Sequence, residues 1–346
     1  MGDRKPLILY GRTLEQTIDR REKATFVKEL VLSGGKVPLA MVRKRLASNS
    51  GGTTATVLLI HGFGQNRYAW HLPSRSLANH LACSGFDVFN LDLRGHGRSR
   101  HFGAKSPRHV DEYVSEDLPI AVDEVLSHTN QRSLYLVGHS LGGLVSYAAA
   151  PKLAGAIAGI ASIGSPYHFT RGSFSLTAIA LLVEGMRRAG VPHTHLPVPL
   201  SPVGAVLRTI RRVAESPFYP IPLRGWHVGA VEPHVLDQHL SLAFDRAAVS
   251  EMRQMFEWAT QKRFGGPAHD YVERFESMDL PLLVIGGSND DLAPTASVRP
   301  AFERSRSKDK TYRTFPLGHI DLLVGRDAPL STWPAVTSWI QKRTAA

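Results

Sequence analysis

Leu134-Tyr135-Leu136-Val137-Gly138-His139-Ser140-Leu141-Gly142-Gly143-Leu144 is the stretch that decides the fold. Residues 134–137 form a short apolar run of the kind buried on both faces of a sheet. From Leu141 to Leu153 the pattern is helical. The five residues at the junction, 138–142, read G-x-S-x-G. A serine on a strained strand-to-helix turn projects its hydroxyl above the sheet. Glycines flank it because a side chain there would meet the neighbouring strand and helix. The helix N-terminus adds a positive potential suited to a developing oxyanion. The pentapeptide alone is weak evidence, but its strand–turn–helix setting makes it strong. Ser140 is the candidate nucleophile.

Working outward, apolar runs of the same type occur at 56–60, 86–93, 157–163 and 282–285. Helical patterns lie between them at 77–81, 111–127 and 141–153. In the second of these, Val114, Leu118, Ala121, Val122 and Val125 keep helical spacing. Strands alternating with helices imply parallel βαβ units, hence an α/β fold with a mostly parallel sheet and helices on both faces. Upstream, the β-rich runs 25–32 and 37–45 flank Ser33-Gly34-Gly35 and read as an antiparallel hairpin. Residues 1–22 are polar and suggest no element. The alternation breaks near Ser165-Pro166 and resumes near Pro281. Between those points no strand is expected, only helices at 176–186, 206–213 and 249–264. Pro192, Pro197, Pro199, Pro202, Pro217, Pro220 and Pro222 punctuate the gaps. This predicts a helical cap, residues 168–275, inserted between a first core part, 1–167, and a second, 276–346. Leu176, Ile179, Leu182, Val183 and Met186 would line an acyl tunnel or simply pack on the core.

A serine hydroxyl needs a base, and the base needs an orienting acid. For an elbow serine the chain order is Ser, acid, His. Gly286-Gly287-Ser288-Asn289-Asp290-Asp291 follows the strand 282–285. A carboxylate there sits at the carboxyl end of a strand, where open α/β sheets build their sites. Asp290 and Asp291 compete for the role, and either could instead be a turn or N-cap aspartate. Of 16 histidines, His319 has the right order, follows the strand-like run 311–315 and precedes a last helix around 334–343. His139 is near in sequence but should point elsewhere on the elbow, and Asp321 reads as a loop-fixing residue. One oxyanion donor is the N–H after the nucleophile, Leu141. The other is Phe63, in the His61-Gly62-Phe63-Gly64 loop after the strand 56–60. His61 there should orient backbone rather than move protons.

These motifs resemble the α/β-hydrolase superfamily over nearly the whole chain. Asp290-Asp291-Leu292-Ala293-Pro294 is similar to its pattern of acid, variable residue, two apolar residues and proline, which favours Asp290. Leu91-Asp92-Leu93-Arg94-Gly95-His96-Gly97-Arg98-Ser99 also matches. Glu116-Asp117-Leu118-Pro119, His319-x-Asp321 and Gly325-Arg326-Asp327-Ala328-Pro329 are similar to acid lipases. The stretch from Pro73-Ser74-Arg75-Ser76-Leu77 through Phe86-Asp87-Val88-Phe89 is similar to polyhydroxyalkanoate synthases. Those synthases carry cysteine at the elbow, so Ser140 favours ester hydrolysis. The resemblance implies serine-dependent hydrolysis of a lipid-like or acyl ester. Alternatives are thioester hydrolysis or acyl transfer on an acyl-CoA or polyester-like substrate, and a hydrolase scaffold that only binds. Dehalogenases and epoxide hydrolases resemble this fold but need a carboxylate where Ser140 stands.

Composition agrees with a globular protein. The 346 residues are 43% hydrophobic and 21% charged, which argues against disorder. The net charge of +11 would suit an anionic membrane surface or an acidic substrate. No nucleic-acid motif accompanies the basic residues, so no nucleic-acid partner is expected. No His/Cys/Asp cluster has ligand spacing, so no metal or organic cofactor is expected. Cys83 is the single cysteine, so no intrachain disulfide can form. The apolar run 7–10 is too short for a signal core or a membrane span. A cytoplasmic protein, peripheral to membrane at most, is the default expectation.

Overall fold

The computed structural model of the chain describes residues 7–49, 52–129, 131–189, 197–216 and 225–344. Pro192, Pro217, Pro220 and Pro222, and the side chains of Ile179, Leu182, Val183 and Met186, lie outside the described residues.

Sheet order follows from which runs are buried on both faces. In β4 (Ala55–Ile60) every residue is buried. Val57 and Leu59 enter one apolar cluster, Leu58 and Ile60 the other. β6 (Leu134–His139) repeats this, with Leu134 and Leu136 on one side and Tyr135 and Val137 on the other. Such strands need helices on both faces. α2 (Leu118–Ser127), α3 (Leu141–Ala149) and α8 (Tyr271–Ser277) cover one face, while α1 (Leu77–Cys83) and α9 (Thr332–Thr344) cover the other. Each fully buried Leu or Ile contributes about 2 kcal/mol.

The main sheet has nine strands in the order β1-β2-β3-β5-β4-β6-β7-β10-β11. The remaining strands are β1 (Leu7–Asp19), β2 (Glu22–Leu32), β3 (Ala40–Leu46), β5 (Phe86–Asp92), β7 (Ile157–Ile163), β10 (Leu282–Gly287) and β11 (Lys310–Phe315). From β5 to β11 neighbouring strands are parallel, and β1–β3 join antiparallel at one edge. From β4 the chain builds to β5 on one side; from β6 it builds through β7, β10 and β11 on the other. The order therefore reverses between β4 and β6, and the crevice at their carboxyl ends is where such sheets bind ligands.

Between β7 and β10 lie α4 (Phe174–Arg188), α5 (Ser201–Thr209), α6 (Pro233–Leu242), α7 (Val249–Thr260) and α8. The expectation of no strand there is corrected: β8 (Pro197–Pro199) pairs antiparallel with β9 (Arg246–Ala248). Three residues bounded by prolines carry no readable strand pattern. The expected helix at 206–213 is two pieces, with a break at Ile210 (φ −93°, ψ 12°) before Arg211–Ala214. The first 22 residues also differ from expectation, because β1 makes a long antiparallel ladder with β2. Most of its side chains are not buried, so backbone pairing rather than an apolar face builds it. The expected helix over 111–127 starts with a π-helical turn at Tyr113–Asp117 before α2.

Candidate active site

Ser140 follows β6 with φ 53° and ψ −121°, a conformation that costs a non-glycine residue roughly 1–3 kcal/mol. The turn around it leaves no room for side chains. A Cβ on Gly138 would lie 2.5 Å from the backbone of Gly142 and Gly143, and one on Gly142 would strike the Ile60 carbonyl. The N–H of Ser140 donates to the Ile163 carbonyl at 3.0 Å, tying the turn to β7. Leu141 opens α3, so its N–H has no acceptor within the helix.

Asp290 and His319 meet at the carboxyl ends of β10 and β11. His319 Nδ1 lies 2.8 Å from Asp290 Oδ2, and both residues are buried. The other oxygen, Asp290 Oδ1, accepts the N–H groups of Leu292 and Ala293 at 2.9 and 2.7 Å. Asp290 thus fixes the turn through one oxygen and faces His319 through the other. Asp291 is exposed. Gly164 adjoins the pair at φ 56°, a backbone conformation that favours glycine; a Cβ there would touch Asp290 Oδ2 and His319 Nδ1 at 3.4 Å.

The loop carrying His319 is fixed from three sides. Asp321 Oδ2 accepts the N–H of Gly318 and that of His227, both at 2.8 Å. Ile320 N–H donates to the Gly225 carbonyl at 2.8 Å. His139 Nε2 lies 3.2 Å from the His319 carbonyl oxygen, and the two rings are 4.6 Å apart. Burial, and then the neighbouring His319, hold the His139 pKa well below the usual imidazole value. A neutral ring must therefore donate through Nε2 to that carbonyl. Asp321 is pushed up to about 7, chiefly by burial, against the pull of its two N–H donors. Both side chains act on the loop.

The loop from Gly62 to Asn66 is built the same way. His61 is fully buried; its Nδ1 faces the Gly62 carbonyl at 2.9 Å and its Nε2 accepts the Leu93 N–H at 3.1 Å. Burial lowers its pKa, so it orients backbone as a neutral ring. Gly64 sits at φ 67°. Its carbonyl accepts the Asp245 N–H at 2.9 Å, and Asn66 N–H donates to Ala243 at 3.1 Å. Asp245, buried, also accepts the Gly97 N–H at 2.6 Å and pairs with Arg100. Sequence reading did not single out Asp245; nothing within a few residues of it signals a partner 148 positions away. Arg94 pairs with Asp117 at 2.6 Å and Asp92 accepts the Arg67 and Arg98 N–H groups at 2.8 Å each. Arg94 thereby ties the 91–99 turn to Glu116-Asp117.

Ser140, His139, His319 and Phe63 border one cavity of about 270 Å³. The rest of its wall is mostly apolar: Phe169, Leu176, Leu200, Phe244, Met252, Met255, Phe256, Leu292 and Ile320. Leu176 therefore faces the cavity as well as packing. Such a space excludes water, takes an apolar group and leaves a few polar atoms to orient it. No group of three or more His, Cys, Asp or Glu side chains able to hold a metal ion occurs among the described residues.

Comparison with known proteins agrees with this architecture. Lipase member K of Homo sapiens is 25% identical over 306 residues, covering 79% of this chain and 76% of that protein. Gastric triacylglycerol lipase of Bos taurus is 24% identical over 328 residues, covering 84% and 81%. The crystal structure of Paleococcus ferrophilus monoacylglycerol lipase superposes with a TM-score of 0.59 at 20% identity, covering 88% of this chain and 99% of that one. The alpha/beta hydrolase fold family matches residues 55–326, and the chain belongs to that family, as a lipase- and esterase-like hydrolase.

Proposed function

We propose that the chain is a serine carboxylic-ester hydrolase acting on a lipid-like or acyl ester through an acyl-enzyme on Ser140. One observation carries the reading: the buried His319–Asp290 pair opens on the same apolar cavity as a serine strained above the sheet. His319 takes the hydroxyl proton as Ser140 Oγ attacks the ester carbonyl. Asp290 holds the imidazole tautomer and stabilises the imidazolium. The Leu141 and Phe63 N–H groups receive the oxyanion. The alcohol leaves with the proton from His319. Water, activated by the same histidine, then releases the free acid.

In this reading residues 168–275 act as a cap that selects the acyl chain, because Leu176, Leu200, Met252 and Phe256 come from that insertion to the cavity. The cap also carries exposed Val203 and Val206 on α5, Ile210 at the helix break and Val213 on the piece after it. With the basic net charge, these exposed apolar residues suit an anionic lipid surface. No helix among the described residues is long and apolar enough to cross a membrane.

The test is an acyl-chain-length series of p-nitrophenyl esters, with and without anionic vesicles. Leu176→Trp fills the cavity from α4, and the half-exposed Met252→Trp does so from α7 at less risk to folding. Both should move the preferred chain length down by several carbons, and vesicles should raise turnover. Folded variants with unchanged length profiles would remove the cap from substrate selection.

A further inference from the structure

Four non-glycine residues described here have a positive φ: Arg20, Ser140, Thr170 and Lys262. Ser140 belongs to the elbow. Thr170 (φ 71°) and Lys262 (φ 54°) line one other place, a cavity of about 700 Å³ beside α4 and α7. A β-branched residue in the left-handed region is an outlier that the surrounding structure must enforce. The fold thus holds two walls of this cavity against local preference.

The cavity is cationic. Arg171, Lys262 and Arg304 line it together with His168, and no carboxylate is among its described lining residues. Arg304 is already paired with Glu276, at 2.6 Å. Arg171 and Lys262 have no carboxylate partner among the described residues. The Nδ1 atom of His168 is buried with no hydrogen-bond partner. Two uncompensated cations facing one concavity make a receptor for an anion with several oxygens. Arginine offers parallel N–H groups and lysine a point charge, the usual pairing around phosphate.

Its position gives the anion a role. Leu176, Ala180 and Phe256 form one small cluster with Phe169 and Ala259. Leu176 and Phe256 face the cavity of Ser140, Ala180 and Ala259 face the basic one, and Phe169 borders both. Phe169, partly exposed, is the residue the two linings share, so the two spaces adjoin at its ring.

We infer that the basic cavity is a phosphate subsite, which takes the phosphate of an acyl substrate whose acyl group lies beside Ser140 across Phe169. The acyl half of this inference rests on the ester-hydrolase reading. The phosphate is that of a lysophospholipid head group or of a soluble acyl thioester such as an acyl-CoA. In either case water adds across the acyl–oxygen or acyl–sulfur bond. Its hydroxyl goes to the acyl carbon and its proton to the departing oxygen or sulfur, so a free acid and a phosphate-bearing alcohol or thiol leave.

The experiment compares substrates that differ in phosphate alone, below their aggregation concentrations. A monoacylglycerol is set against the lysophosphatidic acid of the same acyl chain, and in a second arm an S-acyl pantetheine against the matching S-acyl 4′-phosphopantetheine. At low ionic strength at least one phosphate-bearing member should have the higher kcat/KM, by about tenfold, through KM. The arm that shows it identifies the source. Arg171→Gln with Lys262→Gln should abolish the preference while neutral substrates turn over within about twofold of the native rate. Arg171→Lys should keep part of it, and 0.5 M salt should remove it. Calorimetry with inorganic pyrophosphate reads the subsite without catalysis: binding to the native chain should disappear in the double variant. Absence of pyrophosphate binding, absence of preference in both arms, or equal loss for neutral and phosphate-bearing substrates would each overturn the subsite. If pyrophosphate binds and no ester is cleaved, the subsite stands and the hydrolase reading fails.

Discussion

At the scale of single residues, the assignments depend on which way each side chain faces. Asp290 and Asp291 are adjacent, yet only Asp290 is buried against His319. In the proposed mechanism that carboxylate fixes the imidazole tautomer and stabilises its charged form. Its loss has cost a serine protease about 10⁴-fold in turnover. Asp290→Asn should therefore reduce kcat by roughly 10³- to 10⁴-fold with a small change in KM, and Asp291→Asn should stay within a few-fold of native. Steady-state kinetics on both variants, with circular dichroism to check folding, decides it; the reverse pattern would shift the acid by one residue. The elbow was legible in sequence because its constraints are local: Gly138 and Gly142 are demanded by atoms a few residues or one strand away. The Asp290 choice needed the resemblance as well, because spacing alone left two carboxylates open. Asp245 was not legible at all, since its partners Gly64, Asn66, Gly97 and Arg100 lie far away in the chain.

At the scale of elements, the central strands and the first core helices stood out because two-sided burial makes a strand uniformly apolar. β1 did not, since its exposed side chains leave no pattern while its backbone pairs with β2 along its length. The seating of α7 on the core was equally hidden. Glu251 on α7 accepts the hydroxyl of Tyr113, which comes from the π-helical turn, and the Ala248 N–H at 3.1 Å. His96 Nε2 lies 3.1 Å from the same hydroxyl. Burial pushes Glu251 up to about 7, opposed by those two hydrogen bonds and reinforced by Asp117. His96 is held down at about 3 by burial and by His61, so it stays neutral through the relevant range. The sign follows from linkage. Below pH 4.5, the ordinary value, Glu251 is protonated folded or unfolded. As pH rises to about 7 the unfolded chain loses the proton first, so stability falls through that window and levels off above it. Glu251→Gln removes this loss. The variant should gain on the native chain between pH 4.5 and 7 by on the order of 3 kcal/mol. Urea unfolding of both proteins at several pH values measures the difference, and a constant difference would show that Glu251 ionises as it does in the unfolded chain.

For the whole molecule, the sheet and the segments between β7 and β10 converge on one cavity. The order reversal between β4 and β6 opens a crevice, and it receives the Gly62–Asn66 loop from one side and Ser140 from the other. β10 and β11 deliver Asp290 and His319 to the same end of the sheet. The segment 243–245 then straps the Gly62–Asn66 loop, and residues 225–227 strap the loop of His319. Sequence reading reached the sheet and the candidate residues, because both are written in short patterns. It could not reach the straps, which are hydrogen bonds between segments with no periodicity. The basic excess is visible in composition, but only the fold brings Arg171 and Lys262 to one cavity. It also brings Arg12, Arg67 and Arg98 near Lys28, whose pKa falls to about 8 through burial and those charges. The central claim is the covalent role of Ser140, and the most direct measurement is mass spectrometry of the intact chain after a fluorophosphonate probe, with peptide mapping. One adduct on Ser140 is expected, absent from Ser140→Ala, which should also lose roughly 10⁴-fold or more of ester turnover. An adduct on another residue, or near-native turnover by folded Ser140→Ala, would contradict the account.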